Sequence, residues 1–140
     1  IKRNTPMNSN SSIIISSDLT NIKKVFSWLE KTLFALVNDK NKKSTLSLVV
    51  QEALVNAIVH GNKENKNKNV TLYYEVKDKD VHLKITDEGD GISKTSMQKN
   101  EEDIKEDDLL KDSGRGIILI KHFCKDVIFN KNSVELIVEL

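Results

Sequence analysis

Cysteine is almost missing from this chain: its 140 residues include one, Cys124, set within an apolar stretch. A single thiol excludes an internal disulfide framework and suits a reducing setting, so a cytoplasmic location is expected. An excess of either charge is missing too. The 22 basic and 21 acidic side chains leave a formal net charge of +1, which gives no global field to draw the chain onto nucleic acid or anionic lipid. Neither a direct nucleic-acid partner nor a membrane partner is expected. No apolar run approaches the ~20 residues of a membrane span, and residues 1–12 lack the apolar centre of a signal peptide. Internal repeats are absent. So is any G-x-x-x-x-G-K-[ST] sequence, which excludes a P-loop nucleotide site.

What is present, 38% hydrophobic and 31% charged residues, describes one globular domain with a modest core. The polar residues 1–11 are expected to form a flexible leader, and residues 12–140 a single domain. The run SIIIS reads as a strand suited to a sheet edge. Asp18 can cap a helix whose apolar positions Ile22, Val25, Phe26, Leu29, Leu33, Leu36 and Val37 carry helical spacing to about residue 38. Ser44 or Thr45 is expected to cap a second helix that stops at Gly61. VTLYYEV and VHLKITD form a hairpin around the turn KDKD; the charge-dense segment 93–113 is a lid candidate; a helix of about ten residues starts at GRGI; and VIFN and SVELIVEL close the chain as strands. That order predicts an α+β two-layer sandwich, a mixed, mostly antiparallel sheet with three helices on one face.

Three stretches carry chemistry. In QEALVNAIVHGN, residues 51–62, a carboxylate, an amide and an imidazole (Glu52, Asn56, His60) recur every fourth residue of an otherwise apolar helix. Four-residue steps drift by only about 40°, so the three share a face. In ITDEGDGI, residues 85–92, Asp87 ends a strand and Gly89 and Gly91 flank Asp90. Such glycines permit positive φ and a close planar ligand, and the aspartate can accept from an exocyclic amino group such as that of adenine. A calcium loop fails, because its first ligand would be Thr86 and its bidentate glutamate Met97. In SGRGI, residues 113–117, free N–H groups at a helix start, with Gly114, Arg115 and Gly116, form a phosphate seat.

Taken in order, Glu-x-x-x-Asn-Ala-x-x-His-Gly-Asn, then Asp-x-Gly-x-Gly, then a polar lid and Gly-Arg-Gly, the chain resembles the GHKL (Bergerat-fold) ATPase superfamily. Its short length, HGN ending and lack of a phosphoacceptor histidine helix resemble the bacterial anti-sigma factor serine/threonine kinases, over residue 12 to the C-terminus. The resemblance implies ATP and Mg2+ as cofactors. Asn56 would hold the metal and Glu52 would be the general base toward the attacking hydroxyl. His60 would end the nucleotide motif or cap the helix. Asp87 would hold the adenine amino group, with Gly89, Gly91 and Ile92 beside the ring, and Gly114, Arg115 and Gly116 at the phosphates. Some relatives carry an arginine ahead of the Ser-Gly pair; this chain has Lys111 and Asp112, so the phosphate contact falls to Arg115 or Lys111. Ser133 stands where many relatives place a threonine that touches the adenine pocket. The implied function is phosphorylation of a STAS-type anti-sigma antagonist and sequestration of a sigma factor by partner switching, in a possible homodimer. An ATP-binding regulatory module without transfer, or the isolated catalytic domain of a histidine kinase, is the alternative.

Overall fold

A computed structural model describes residues 8–89 and 112–140, with Asn8 and residues 112–115 described by their backbone alone. Period-2 alternation builds the sheet. In Asn69–Lys77 (β2), Val70, Leu72, Tyr74 and Val76 are buried between more exposed neighbours. Val81, Leu83 and Ile85 do the same in Asp80–Thr86 (β3), and Val134, Leu136 and Val138 in Ser133–Glu139 (β5). With Asn8–Ser16 (β1) and Asp126–Phe129 (β4), these strands form a five-stranded sheet of order β1-β2-β3-β5-β4. The sheet is antiparallel at each of its four pairings. Register aligns Ile13, Leu72, Ile85, Val134 and Phe129 in one apolar row across all five strands. Each such side chain withdrawn fully from water contributes about 1.5–3 kcal/mol.

The first strand begins at Asn8 rather than Ser12, because β2 offers partners along nine residues and the polar NSNS segment pairs through its backbone as well as an apolar one would. The KDKD turn tightens around Asp78, which takes a left-handed φ of 55°.

The helices cover one face. Ile22–Lys31 (α1), Lys40–Val55 (α2) and Asp112–Phe123 (α3) send Val25, Leu29, Leu46, Val50, Leu54 and Ile120 into a single core with the inward sheet residues. Trp28 packs on Tyr74, ring centroids 5.5 Å apart. The first helix is shorter than its spacing predicts. It stops at Lys31, where Thr32 leaves the helical region and its hydroxyl donates to Trp28 O at 2.9 Å; a short 3₁₀ turn, Phe34–Leu36, then follows. That break turns Leu33 and Phe34 fully inward. The second helix starts earlier than expected, since Asp39, not Ser44 or Thr45, is its cap and accepts from the backbone N–H of Asn41 at 2.8 Å and Lys42 at 3.2 Å. The third begins at Asp112, inside the segment read as a lid. Residues 93–111 of that lid and residues 1–7 of the leader lie outside the described residues. Among the described residues no helix is long and apolar enough to cross a membrane.

Candidate functional site

α2 runs without interruption into a wider, π-helical turn, Asn56–Gly61, in which the Asn62 N–H reaches Ala57 O at 2.8 Å, five residues back. The wider turn rotates its residues by a different amount than an α-helical four-residue step. Glu52 and Asn56 remain together, Glu52 half-buried and Asn56 6% exposed, while His60 faces solvent. The predicted polar row is therefore a pair plus an exposed imidazole. The Asn56 side-chain amide has no hydrogen-bond partner among the described residues, although it is buried. A buried amide left unpaired in this way is costly unless a ligand completes it.

Gly116 seals the pair from the other side. A Cβ placed on it would lie 2.9 Å from Glu52 Oε2 and 3.3 Å from Asn56 Nδ2, so only glycine lets α3 close this tightly on α2. Gly114 and Arg115 occupy the first turn of α3, and their contacts lie outside the described residues, as do Gly91, Ile92 and Lys111.

Across the cavity stands Asp87, 6% exposed at the end of β3. Its N–H donates to Asn132 O at 2.7 Å; its Oδ1 accepts from Gly89 N at 2.9 Å and from Asn132 Nδ2 at 3.2 Å. Among the described residues no donor reaches Oδ2. Two glycines beside it, Gly61 and Gly89, work by proximity; of these, positive φ was expected at Gly89. A Cβ on Gly61 would come within 2.7 Å of Asp87 Cγ, and one on Gly89 would run into the Gly61 carbonyl; neither glycine has a left-handed φ. The missing Cβ atoms thus admit protein rather than a planar ligand at these two positions.

Between Asn56 and Asp87 lies a narrow slot of about 10 Å³, room for about one water. Ala53, Ala57, Ile85 and Ile117 form its apolar wall, and Asn56, Asp87 and Ser133 supply its polar atoms. Ser133 lies opposite Thr86 in register, and its hydroxyl accepts from Asn130 Nδ2 at 3.3 Å. No group of three or more His, Cys, Asp or Glu side chains that could hold a metal occurs among the described residues. A cation here would depend on ligand oxygens added to the Asn56 amide. The slot sets the Asp87 carboxylate and the Asn56 amide at its polar positions, each with a polar atom that has no partner among the described residues, chemistry suited to an amino group and to a metal-bound oxygen.

Two residues with structural weight at the site escaped the sequence reading. Asn62, 2% exposed, donates through Nδ2 to Ser17 Oγ at 2.7 Å and Asn69 O at 3.0 Å, and accepts from Glu88 N at 2.8 Å. It fastens the end of the π-turn to three strand ends. Asn132 holds Asp87 and also donates to Gly89 O. Asn62 was visible only as the last letter of HGN, and Asn132 only as a turn residue in KNS.

The sequence pattern of the histidine kinase-like ATPase domain matches residues 15–140. The chain belongs to this family. Among individual relatives of this ATPase domain, the chain is 33% identical over 82 residues to an anti-sigma F factor of Shouchella clausii, covering 59% of the chain and 56% of the relative. It is 31% identical over 93 residues to the serine-protein kinase RsbW of Staphylococcus aureus strains JH9 and Newman, covering 61% of the chain and 57% of the relative. The chain thus spans little more than half the length of the curated relatives it matches. Membership agrees with a GHKL-type ATPase domain in the two-layer fold expected from the sequence.

Proposed function

We propose that the chain is an ATP-dependent serine kinase acting as an anti-sigma factor in the cytoplasm: it transfers the γ-phosphoryl of ATP to a serine of a STAS-type antagonist and sequesters a sigma factor while the antagonist is phosphorylated. The names of the relatives, one an anti-sigma factor and one a serine-protein kinase, support this reading. The observation that carries it is the buried Asn56 amide, without a partner among the described residues, beside Glu52, with Gly116 packed on both. Asn56 would hold Mg2+, which when bound neutralises and orients the nucleotide phosphates. Asp87 Oδ2 would accept from the adenine amino group. Glu52 would take the proton of the attacking serine hydroxyl, a role that asks only for a carboxylate within hydrogen-bond reach of it. Gly114 and Arg115, at the start of α3, would meet the phosphates with backbone N–H groups and positive charge.

Transfer of labelled phosphate from ATP to a cognate antagonist tests the proposal. In Glu52→Ala the transfer rate should fall by about 10²-fold or more while Mg-ATP binding persists, the usual contribution of a positioned base. Unchanged transfer would remove Glu52 from the reaction. Tight ATP binding with no phosphorylated product in the wild type, whatever antagonist is offered, would favour a regulatory module.

A further inference from the structure

The geometry points to Asn132 as a positioning residue that selects the nucleobase by locking the carboxylate of Asp87. This rests on the reading of the slot as an adenine site. An aspartate at the end of a strand has two chemically equivalent oxygens and a soft terminal torsion, so alone it offers no fixed acceptor. Here the symmetry is broken. Oδ1 takes two donors, Gly89 N at 2.9 Å and Asn132 Nδ2 at 3.2 Å, and among the described residues Oδ2 takes none. The other Asn132 contacts support the same orientation: its O accepts from Asp87 N at 2.7 Å, and its Nδ2 also donates to Gly89 O. Asn132 thus grips the strand end, the carboxylate and the following glycine together. Gly61 closes the opposite side, since a Cβ there would collide with the carboxylate. Oδ1 is satisfied and held, and Oδ2, on the Gly61 side, is left as a buried acceptor without a donor among the described residues.

A buried acceptor without a donor discriminates strongly between ligands that carry one and ligands that do not, because the latter leave it desolvated and unpaired. The ligand class favoured is a 6-aminopurine nucleotide. Loss of the Asn132 amide frees the carboxylate to turn and to meet the amino group less well. The lever is the side chain of Asn132, since the other donor to Oδ1 is backbone.

The test compares binding of Mg-ATP with Mg-purine riboside triphosphate, which lacks the amino group, by calorimetry on the full chain. The wild type should prefer ATP by about tenfold or more, the worth of one buried hydrogen bond. In Asn132→Ala the preference should shrink to about threefold or less, with binding of purine riboside triphosphate changed by less than about twofold. Asn132→Asp keeps the size of the side chain, removes its donors and sets a second carboxylate beside Asp87, so it should lose at least as much preference. An unchanged preference in both variants would overturn the inference while leaving the adenine site standing, as would an equal loss of both nucleotides. A wild type that binds neither nucleotide would instead sink the adenine reading itself.

Discussion

Replacing Gly116 with alanine separates the site from the scaffold in one step. The added Cβ would sit 2.9 Å from Glu52 Oε2 and 3.3 Å from Asn56 Nδ2. Ordinary contact begins near 3.4 Å, so the glutamate oxygen must retreat by about 0.5 Å and the amide by a few tenths. Both groups are ends of side chains, and their movement costs little. Alanine in a helix also gains about 0.5–1 kcal/mol over glycine. The two effects oppose, and stability should stay within about 1 kcal/mol of wild type, or about 4 °C in melting temperature. Chemistry has no such compensation. Displacing the proposed base and the proposed metal-holding amide by a fraction of an ångström should lower phosphoryl transfer by about 10- to 100-fold. Thermal melting and turnover, measured on the same preparation, decide it. Wild-type turnover at an unchanged melting temperature would refute the assignment of Gly116 as the wall of the site. A fall of more than about 10 °C would show that the methyl group strikes the core instead.

Asn62→Ala removes three side-chain hydrogen bonds at a 2% exposed position and leaves the Glu88 N–H without its acceptor. It should cost about 3 kcal/mol in urea unfolding, and a loss below about 1 kcal/mol would mean that water replaces the amide. Burial pushes the Cys124 thiol up from 9.0 to about 12, so at pH 8 the native protein should be alkylated far more slowly than the same protein in urea. The folded pKa is raised, so this thiol favours the native state fully below pH 9.0, and the contribution is lost as pH rises from there toward 12. In Cys124→Ser the decline of stability across that window should be shallower; an identical slope would show that other groups govern it.

The sheet was legible because period-2 burial is written directly into VTLYYEV, VHLKITD and SVELIVEL, whose inward residues are those the spacing selects. The insertion of β5 between β3 and β4 was not, since strand order depends on long-range pairing that no local pattern records. Helix ends misled for a similar reason. Thr32 satisfies its hydroxyl inside the helix and ends α1 while the apolar spacing continues past it, and Asp39 outcompetes Ser44 as a cap by being first in line. At the site, Glu52, Asn56 and Asp87 could be picked out because polar groups in apolar runs are conspicuous. Nothing local announces a π-turn, so the exposure of His60 could not be read. Asn62 and Asn132 sit among other polar residues, where an amide that crosses between segments looks like one that meets only water.

The three bonds of Asn62 carry a kinetic consequence. Because one side chain links the end of the π-turn to the ends of β1 and β3 and the start of β2, that corner has no independent way to open. The amide proton of Glu88 should exchange with deuterium only as fast as the sheet itself comes apart, so that the floor beside the slot melts last rather than first.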